Sequence, residues 1–400
     1  MPEGWEALAP TVFAGDGAGL GFWSYPGLGQ DLAVAAWGHR LAGSPAVLDP
    51  YRTEQYTWLV HSGTTPDGEE QWFAVSGYEG GLHAVAMWSA ADDPGLFEEV
   101  LQPALDMYAF EEPERSGESM QLAAAGRHLF DYDAGEPLGL EVVDRSPVEG
   151  VTLEEIRYTS PAGGEVPADV WIPAGEGPFP ALIMMHGLPG DRTQLGAEAR
   201  PYAAAGVLVM AIDAPFARPE HRDRPEGAIT GTEQDRVEQI QLIRDLRRAV
   251  DVLAGRPDVD PQRIGYLGVS YGGAMGGLLA GVEPRLSACV LVVGDGGLVS
   301  HLTGIDDPPP EDSAEHTAWV AAMWPIEPIH YVADAAMPLL FQSALRDDAV
   351  PFDDAIRYQR AAGGDADVVW YDSGHGLPDE AARDRARWLA EHLGFDAAGF

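Results

Sequence analysis

Three short stretches of this 400-residue chain carry a hydroxyl, a carboxylate and an imidazole in settings where they could work together. The first is Gly268-Val269-Ser270-Tyr271-Gly272, a G-x-S-x-G that ends the apolar run 263–268 and opens a helical stretch, 271–282. The second is Asp347-Asp348-Ala349-Val350-Pro351, which follows the apolar run 338–344. The third is Gly374-His375-Gly376, in the loop after the run 367–371, with Pro378 opening the helical stretch 378–394. A serine hydroxyl is a weak nucleophile by itself. An imidazole that takes its proton, held in place by a carboxylate, makes it able to attack acyl carbonyls. The pattern predicts Ser270 as nucleophile, His375 as general base and Asp347 as orienting acid, in the chain order serine, acid, histidine. Asp348 competes for the acid role, and Asp347 is preferred for its spacing before Ala349-Val350-Pro351.

The glycines around Ser270 have a mechanical reason. A serine lifted out between a strand and a helix takes a strained backbone conformation, and side chains at Gly268 and Gly272 would collide with the two elements. The turn also aims the N-terminus of the following helix at the reaction centre. With 48 glycines in the chain, the bare motif is common by chance, so its strand–turn–helix setting carries the weight. An acyl-transfer site also needs two N–H donors for the developing oxyanion. Tyr271 N–H, just after the serine, is one candidate. The other is Leu188 N–H, in the loop His186-Gly187-Leu188-Pro189-Gly190 that follows the apolar run 180–186. Within it, Gly187 supports the motif and His186 is expected to bond the loop structurally rather than act as a base.

The elements that must position these groups are legible from about residue 140 onward. Continuous apolar runs at 168–173, 180–186, 206–212, 263–268, 288–293, 338–344 and 367–371 read as strands buried on both faces. Helical patterns separate them, most clearly 232–255, with Val237, Ile240, Ile243, Leu246, Val250 and Leu253 in register, Thr232 as cap and Gly255 as stop. The alternation predicts an α/β domain over 136–400, a mostly parallel sheet with helices on both faces. Residues 1–135 predict a smaller α+β domain. Its strands fall at 54–63, 70–80 and 81–90 and its helix at 95–110, and the Gly-, Pro- and acid-rich 131–150 serves as linker or entry segment. This part loosely resembles the small α/β fold of the PsbP and Mog1 proteins. Two long segments, 214–231 and 295–328, are candidate lids. Trp319, Met323 and Trp324 in the second read either as pocket walls or as the core of a cap helix. Arg218, Arg222 and Arg224 in the first read as recognition groups for an acidic substrate or, more simply, as partners of local carboxylates.

Composition narrows the function classes. The chain has 64 Asp+Glu against 24 Lys+Arg, and none of the cations is lysine. A surface this acidic repels nucleic acid and anionic membranes. It fits a high-salt habitat or a lysine-poor genome. The single Cys289, inside an apolar run, reads as a core residue and rules out an internal disulfide. No apolar stretch is long enough to span a membrane, and the first residues lack the pattern of a signal peptide, so the expected compartment is the cytoplasm. Gly15–Gly21 does not fit a dinucleotide fingerprint, since position 20 is Leu20. No cofactor or metal is expected. The expected partner is a small-molecule ester, with a homo-oligomer possible.

On the H-G-x-x-G at 186–190, the G-x-S-x-G at 268–272, the D-x-x-V-P at 347–351 and the G-H-G at 374–376, residues 136–400 resemble the α/β-hydrolase esterases. Within them the dienelactone-hydrolase, acetyl-xylan-esterase and prolyl-oligopeptidase-like branches are nearest. The resemblance implies the α/β-hydrolase fold and a carboxylesterase of small or medium acyl esters acting through an acyl-enzyme. It departs at the nucleophile, because true dienelactone hydrolases use a cysteine where this chain has Ser270. The serine likewise argues against the dehalogenase and epoxide hydrolase branches, which use aspartate. A peptidase or acylaminoacyl hydrolase of short peptides, an acyltransferase, and a binding module without activity are the alternatives. For a prolyl-oligopeptidase-like enzyme, the N-terminal part is too short to form the usual propeller.

Overall fold

A computed structural model describes residues 6–9, 12–15, 18–26, 33–34, 37–53, 56–78, 81–89, 97–108, 117–221, 228–299, 313–362 and 366–400. The chain divides into two compact units, Met1–Pro113 and Glu114–Phe400.

In the first unit the described residues form an antiparallel sheet of β1 (Glu6–Ala9), β2 (Val12–Gly15), β3 (Ala18–Pro26), β4 (Ala46–Val47), β5 (Tyr51–Arg52), β6 (Thr57–Thr64), β7 (Glu70–Tyr78) and β8 (Gly81–Ser89). Their order is β1-β2-β3-β8-β7-β6-β4, with β5 on β6. Alternate residues of the central strands, among them Trp58, Val60, Ala74, Val85 and Met87, face Val100, Leu101, Ala104 and Leu105. The helix expected over 95–110 is shorter and broken. A π-turn at Phe97–Leu101 runs into α1 (Gln102–Asp106), where Pro103 lacks the N–H that a continuous α-helix would require. Residues 95–96 and 109–110 lie outside the described residues.

The second unit is built on a nine-stranded sheet: β9 (Glu141–Val148), β10 (Val151–Thr159), β11 (Glu165–Ile172), β12 (Phe179–Met185), β13 (Leu208–Ile212), β14 (Val259–Val269), β15 (Ala288–Val292), β16 (Leu339–Ala344) and β17 (Asp367–Tyr371). The order is β17-β16-β15-β14-β12-β13-β11-β10-β9. The pairings from β13 across to β17 are parallel, and those joining β9, β10, β11 and β13 are antiparallel. All seven apolar runs become strands. The helices are α2 (Gly117–Gly126), α3 (Gly196–Ala204), α4 (Glu233–Ala254), α5 (Tyr271–Val282), α6 (Ala314–Met323), α7 (Pro328–Tyr331), α8 (Phe352–Ala362) and α9 (Asp379–Leu393).

The continuous apolar character of the central strands follows from burial on both faces. On β12, Ala181, Ile183 and Met185 join the core beneath α4 and α5, while Leu182 and Met184 join the core beneath α3 and α9. Cys289 is fully buried in the first of these cores, as its context implied. Helix α4 begins where expected, with Thr232 Oγ1 accepting Gln234 N–H at 3.2 Å. Among the described residues no helix is long and apolar enough to cross a membrane.

The segment 131–150 is not a bare linker. Its second half is β9, the edge strand, turned into β10 across Glu149-Gly150. Both turn residues have positive φ, 45° and 91°, as a two-residue hairpin requires. The strand is hidden in the sequence because it shows no in–out alternation, with Val142 and Val143 exposed alongside Glu141, Asp144 and Arg145. The division between units also falls earlier than residue 135. Helix α2 and the 3₁₀ turn Arg127–Phe130 pack in the second unit, where Phe130 is fully buried edge-on to Tyr331 at 5.5 Å between ring centres.

Candidate active site

The site is built on the carboxyl edge of the parallel strands. β14 ends at Val269 and α5 starts at Tyr271, leaving Ser270 alone in the turn at φ 55°, ψ −115°. Such a backbone costs a non-glycine residue about 1–3 kcal/mol and needs firm surroundings. The glycines supply the room. A Cβ at Gly268 would stand 2.0 Å from Gly272 O, one at Gly272 2.3 Å from Met185 O, and one at Gly273 2.6 Å from Val292 O. Ser270 N–H donates to Val292 O at 2.8 Å, tying the turn to β15.

Asp347 and His375 come from the loops after β16 and β17. These strands are parallel neighbours, so their loops leave the same edge side by side. The pairing continues past the strands, with Leu345 N–H on Tyr371 O at 2.9 Å and Arg346 N–H on Ser373 O at 3.0 Å. This carries the two side chains together. His375 Nδ1 lies 2.9 Å from each Asp347 carboxylate oxygen, and Nε2 lies 3.0 Å from Ser270 Oγ. A carboxylate only accepts, so Nδ1 carries the proton and Nε2 is left to accept the serine O–H. Asp347 Oδ1 also accepts Ala349 N–H and Val350 N–H, each at 2.9 Å. Burial alone would raise the Asp347 pKa. The bonds from His375, Val350 and Ala349 outweigh it and hold the carboxyl below its usual range. Asp348, the competitor, is exposed, and the carboxylate bonded to His375 is that of Asp347.

The loop after β12 lies against the serine. A Cβ on Gly187 would be 3.0 Å from Ser270 Cβ and 3.5 Å from its Oγ, so only a glycine backbone approaches this closely. Gly190 N–H closes a turn on Gly187 O at 2.9 Å, with Leu188 and Pro189 between. Leu188 N–H makes no hydrogen bond to another described residue. Tyr271 opens α5, whose first N–H groups point toward the Ser270 end. His186 is structural in its contacts. It donates from Nδ1 to Gly187 O at 2.8 Å and accepts Ala214 N–H at Nε2 at 3.1 Å. Burial lowers its pKa to about 4, so the ring is neutral.

Other expected residues fall elsewhere. Arg218 is buried in an ion pair with Asp245, which occupies the cation internally. Arg222 and Arg224 lie outside the described residues, as do residues 300–312 of the second candidate lid. Trp319 and Met323 are core residues, and Trp319 Nε1 donates to Asp235 Oδ2 at 2.8 Å. Trp324 stands edge-on to His330. A cavity of about 530 Å³ opens over β10 and β11, lined in part by Glu155, Arg157, Glu165, Arg192 and Glu220 but by none of Ser270, Asp347 or His375. Among the described residues no three His, Cys, Asp or Glu side chains cluster as a metal site.

Sequence reasoning missed Arg192, Asp213 and Phe216. Asp213 follows β13 directly, on the same sheet edge as Asp347, and this position was the available signal. Phe216 sits edge-on to both His186 and Tyr271, 5.6 Å from each.

This sheet order, with a strained serine turn after the central strand, defines an α/β-hydrolase. Residues 166–393 match the Dienelactone hydrolase family, and the chain belongs to that family. A putative carboxymethylenebutenolidase of Methylorubrum extorquens is 26% identical over 60% of this chain and 78% of its own length. The uncharacterized peptidase YuxL of Bacillus subtilis is 28% identical over 50% of this chain, which spans only 31% of that relative. Among solved structures, the acetyl xylan esterase from Paenibacillus sp. R4 aligns with a TM-score of 0.57 at 19% identity, covering 70% of this chain and 97% of the other, a likeness of fold.

Proposed function

We propose that the protein is a serine carboxylesterase for small to medium acyl esters. Ser270 attacks the ester carbonyl as His375 Nε2 takes its proton, and Asp347 holds the imidazole and stabilises its charged form. Leu188 N–H and Tyr271 N–H receive the oxyanion. His375 then protonates the departing alcohol, and a water activated by the same imidazole releases the acid from acyl-Ser270. The observation that carries this reading is the unbroken chain from Ser270 Oγ through both ring nitrogens of His375 to Asp347, at 3.0 and 2.9 Å. It gains support from Gly187, whose lack of a side chain lets the Leu188 turn reach the serine.

The test is turnover of p-nitrophenyl esters of increasing acyl length, beside an aminoacyl anilide. Wild type is expected to prefer the shorter esters to the anilide, and Ser270→Ala to lose roughly four to six powers of ten in kcat. A Ser270→Ala variant as fast as wild type sinks the mechanism. Faster cleavage of the anilide replaces the esterase reading with a peptidase.

A further inference from the structure

The turn carrying Leu188 N–H is held at both ends by one dipeptide, Asp213-Ala214, just past β13. At its start, Ala214 N–H donates to His186 Nε2 at 3.1 Å. At its end, Arg192 binds Asp213 twice, through its backbone N–H to Oδ1 at 2.9 Å and its Nη1 to Oδ2 at 2.6 Å. Arg192 Nε donates to Asp169 Oδ1 on β11 at 2.8 Å. Between these anchors Gly190 N–H closes on Gly187 O, and Asp191 caps the next turn by accepting Thr193 N–H at 2.9 Å.

This pairing is not explained by stability alone. One guanidinium faces two carboxylates, and Asp213 is completely buried. Burial raises the pKa of both acids, and the Arg192 contacts oppose the rise. Buried ion pairs of this kind are often no more stabilising than apolar side chains of similar volume. Their geometry, however, fixes direction. Three bonds from one residue, to Asp169 on β11 and to Asp213 just past β13, lock the Arg192 backbone as well as its side chain, four residues from Leu188 N–H. An oxyanion donor works only if it is held where the charge develops.

Resting on the serine-hydrolase reading, we propose that Arg192, gripped by Asp213 and Asp169, is a positioning residue that sets the oxyanion-side turn 187–190 against Ser270. Its effect is exerted on the transition state and not on ester binding. Losing one oxyanion donor costs about 10²- to 10³-fold, and a shift of about 1 Å about 10²-fold. A loosened but present turn should therefore cost roughly 10- to 100-fold in kcat.

The experiment uses the full chain as wild type, Arg192→Met, Arg192→Lys and Asp213→Asn. Active sites are counted by end-point labelling with a fluorophosphonate, and kcat and KM for p-nitrophenyl acetate are expressed per labelled site. Inhibition by a trifluoromethyl ketone, whose adduct places an oxyanion in the same position, is compared with inhibition by acetate. Arg192→Met and Asp213→Asn should lose about 10- to 100-fold in kcat with KM within about twofold. Ketone affinity should fall by the same factor and acetate inhibition should hold. Arg192→Lys, a point charge without the planar fork, should recover only part of the loss. Asp213→Asn is near-isosteric and gives the answer if Arg192→Met does not fold. A labelled wild type with both variants within twofold of its kcat overturns the positioning role alone. A wild type that takes up no fluorophosphonate overturns the hydrolase reading and this proposal with it.

Discussion

Replacing Asp347 with asparagine separates the acid's chemical role from its structural one. Its Oδ1 accepts both backbone N–H groups of the following turn, from Ala349 and Val350. Asparagine can keep that oxygen in place, so the turn should survive. The second position then becomes an amide nitrogen 2.9 Å from His375 Nδ1. Nδ1 then lies equally close to the retained oxygen and to an N–H₂ that wants a lone pair there, and meeting the amide draws the ring proton to Nε2. Nε2 then donates toward Ser270 Oγ, 3.0 Å away, and can no longer take its proton. The wrong tautomer costs about 10⁴-fold in kcat where the same arrangement has been broken this way, or about 5 kcal/mol of transition-state stabilisation. Asp347→Ala should lose activity similarly, and the two orphaned N–H groups should cost about 1–3 kcal/mol each in stability besides. The assay is kcat for p-nitrophenyl acetate with melting temperature measured on the same preparations. Asp347→Asn with near-native melting and kcat within tenfold of wild type would refute the tautomer argument. A comparable loss in Asp348→Asn would show that the wrong carboxylate had been assigned.

Other positions give independent checks. Gly187→Ala places a methyl 3.0 Å from Ser270 Cβ, tighter than ordinary contact, so the turn must recede by a few tenths of an ångström. The expected result is a fall in kcat of about tenfold or more with little change in melting, and an unchanged kcat contradicts it. Glu327 is a buried carboxyl whose pKa is lifted well above 4.5 by burial, opposed by the Val299 N–H and lifted further by Asp295. The folded state therefore keeps a proton that the unfolded state releases, and stability falls as pH rises from about 4.5. Glu327→Gln removes that titration. Its melting temperature minus that of wild type should increase as the pH is raised above about 5, by at most about 1.4 kcal/mol of stability per pH unit. Parallel melting curves for the two proteins across that range would contradict the buried proton.

The parts of the molecule legible in the sequence are those where local sterics or double burial leave a local mark. The elbow is one, because each of Gly268, Gly272 and Gly273 abuts backbone where no Cβ fits. The central strands are another, since residues such as Leu182 and Ile183 face opposite cores and both must be apolar. The glycines beside His375 are different. A Cβ at Gly374 would meet nothing closer than 3.6 Å and one at Gly376 nothing at all, so that signature marked the site without packing requiring it. The β9–β10 hairpin was obscured because β9 packs neither face, so its valines Val142 and Val143 follow no alternation with its charged residues. The grip of Asp169 and Asp213 on Arg192 was invisible because only the strand order β12-β13-β11 brings the three together. Trp319 and Met323 could not be sorted between pocket wall and core by composition, since both environments select the same side chains.

The central claim is that Ser270 is made nucleophilic by His375, and covalent trapping tests it most directly. After incubation with a fluorophosphonate, digestion and mass spectrometry should find one phosphonyl adduct, on the peptide holding Ser270, and none when His375 is replaced by alanine. An unlabelled wild type that still hydrolyses esters, or an adduct on any other residue, would contradict the account.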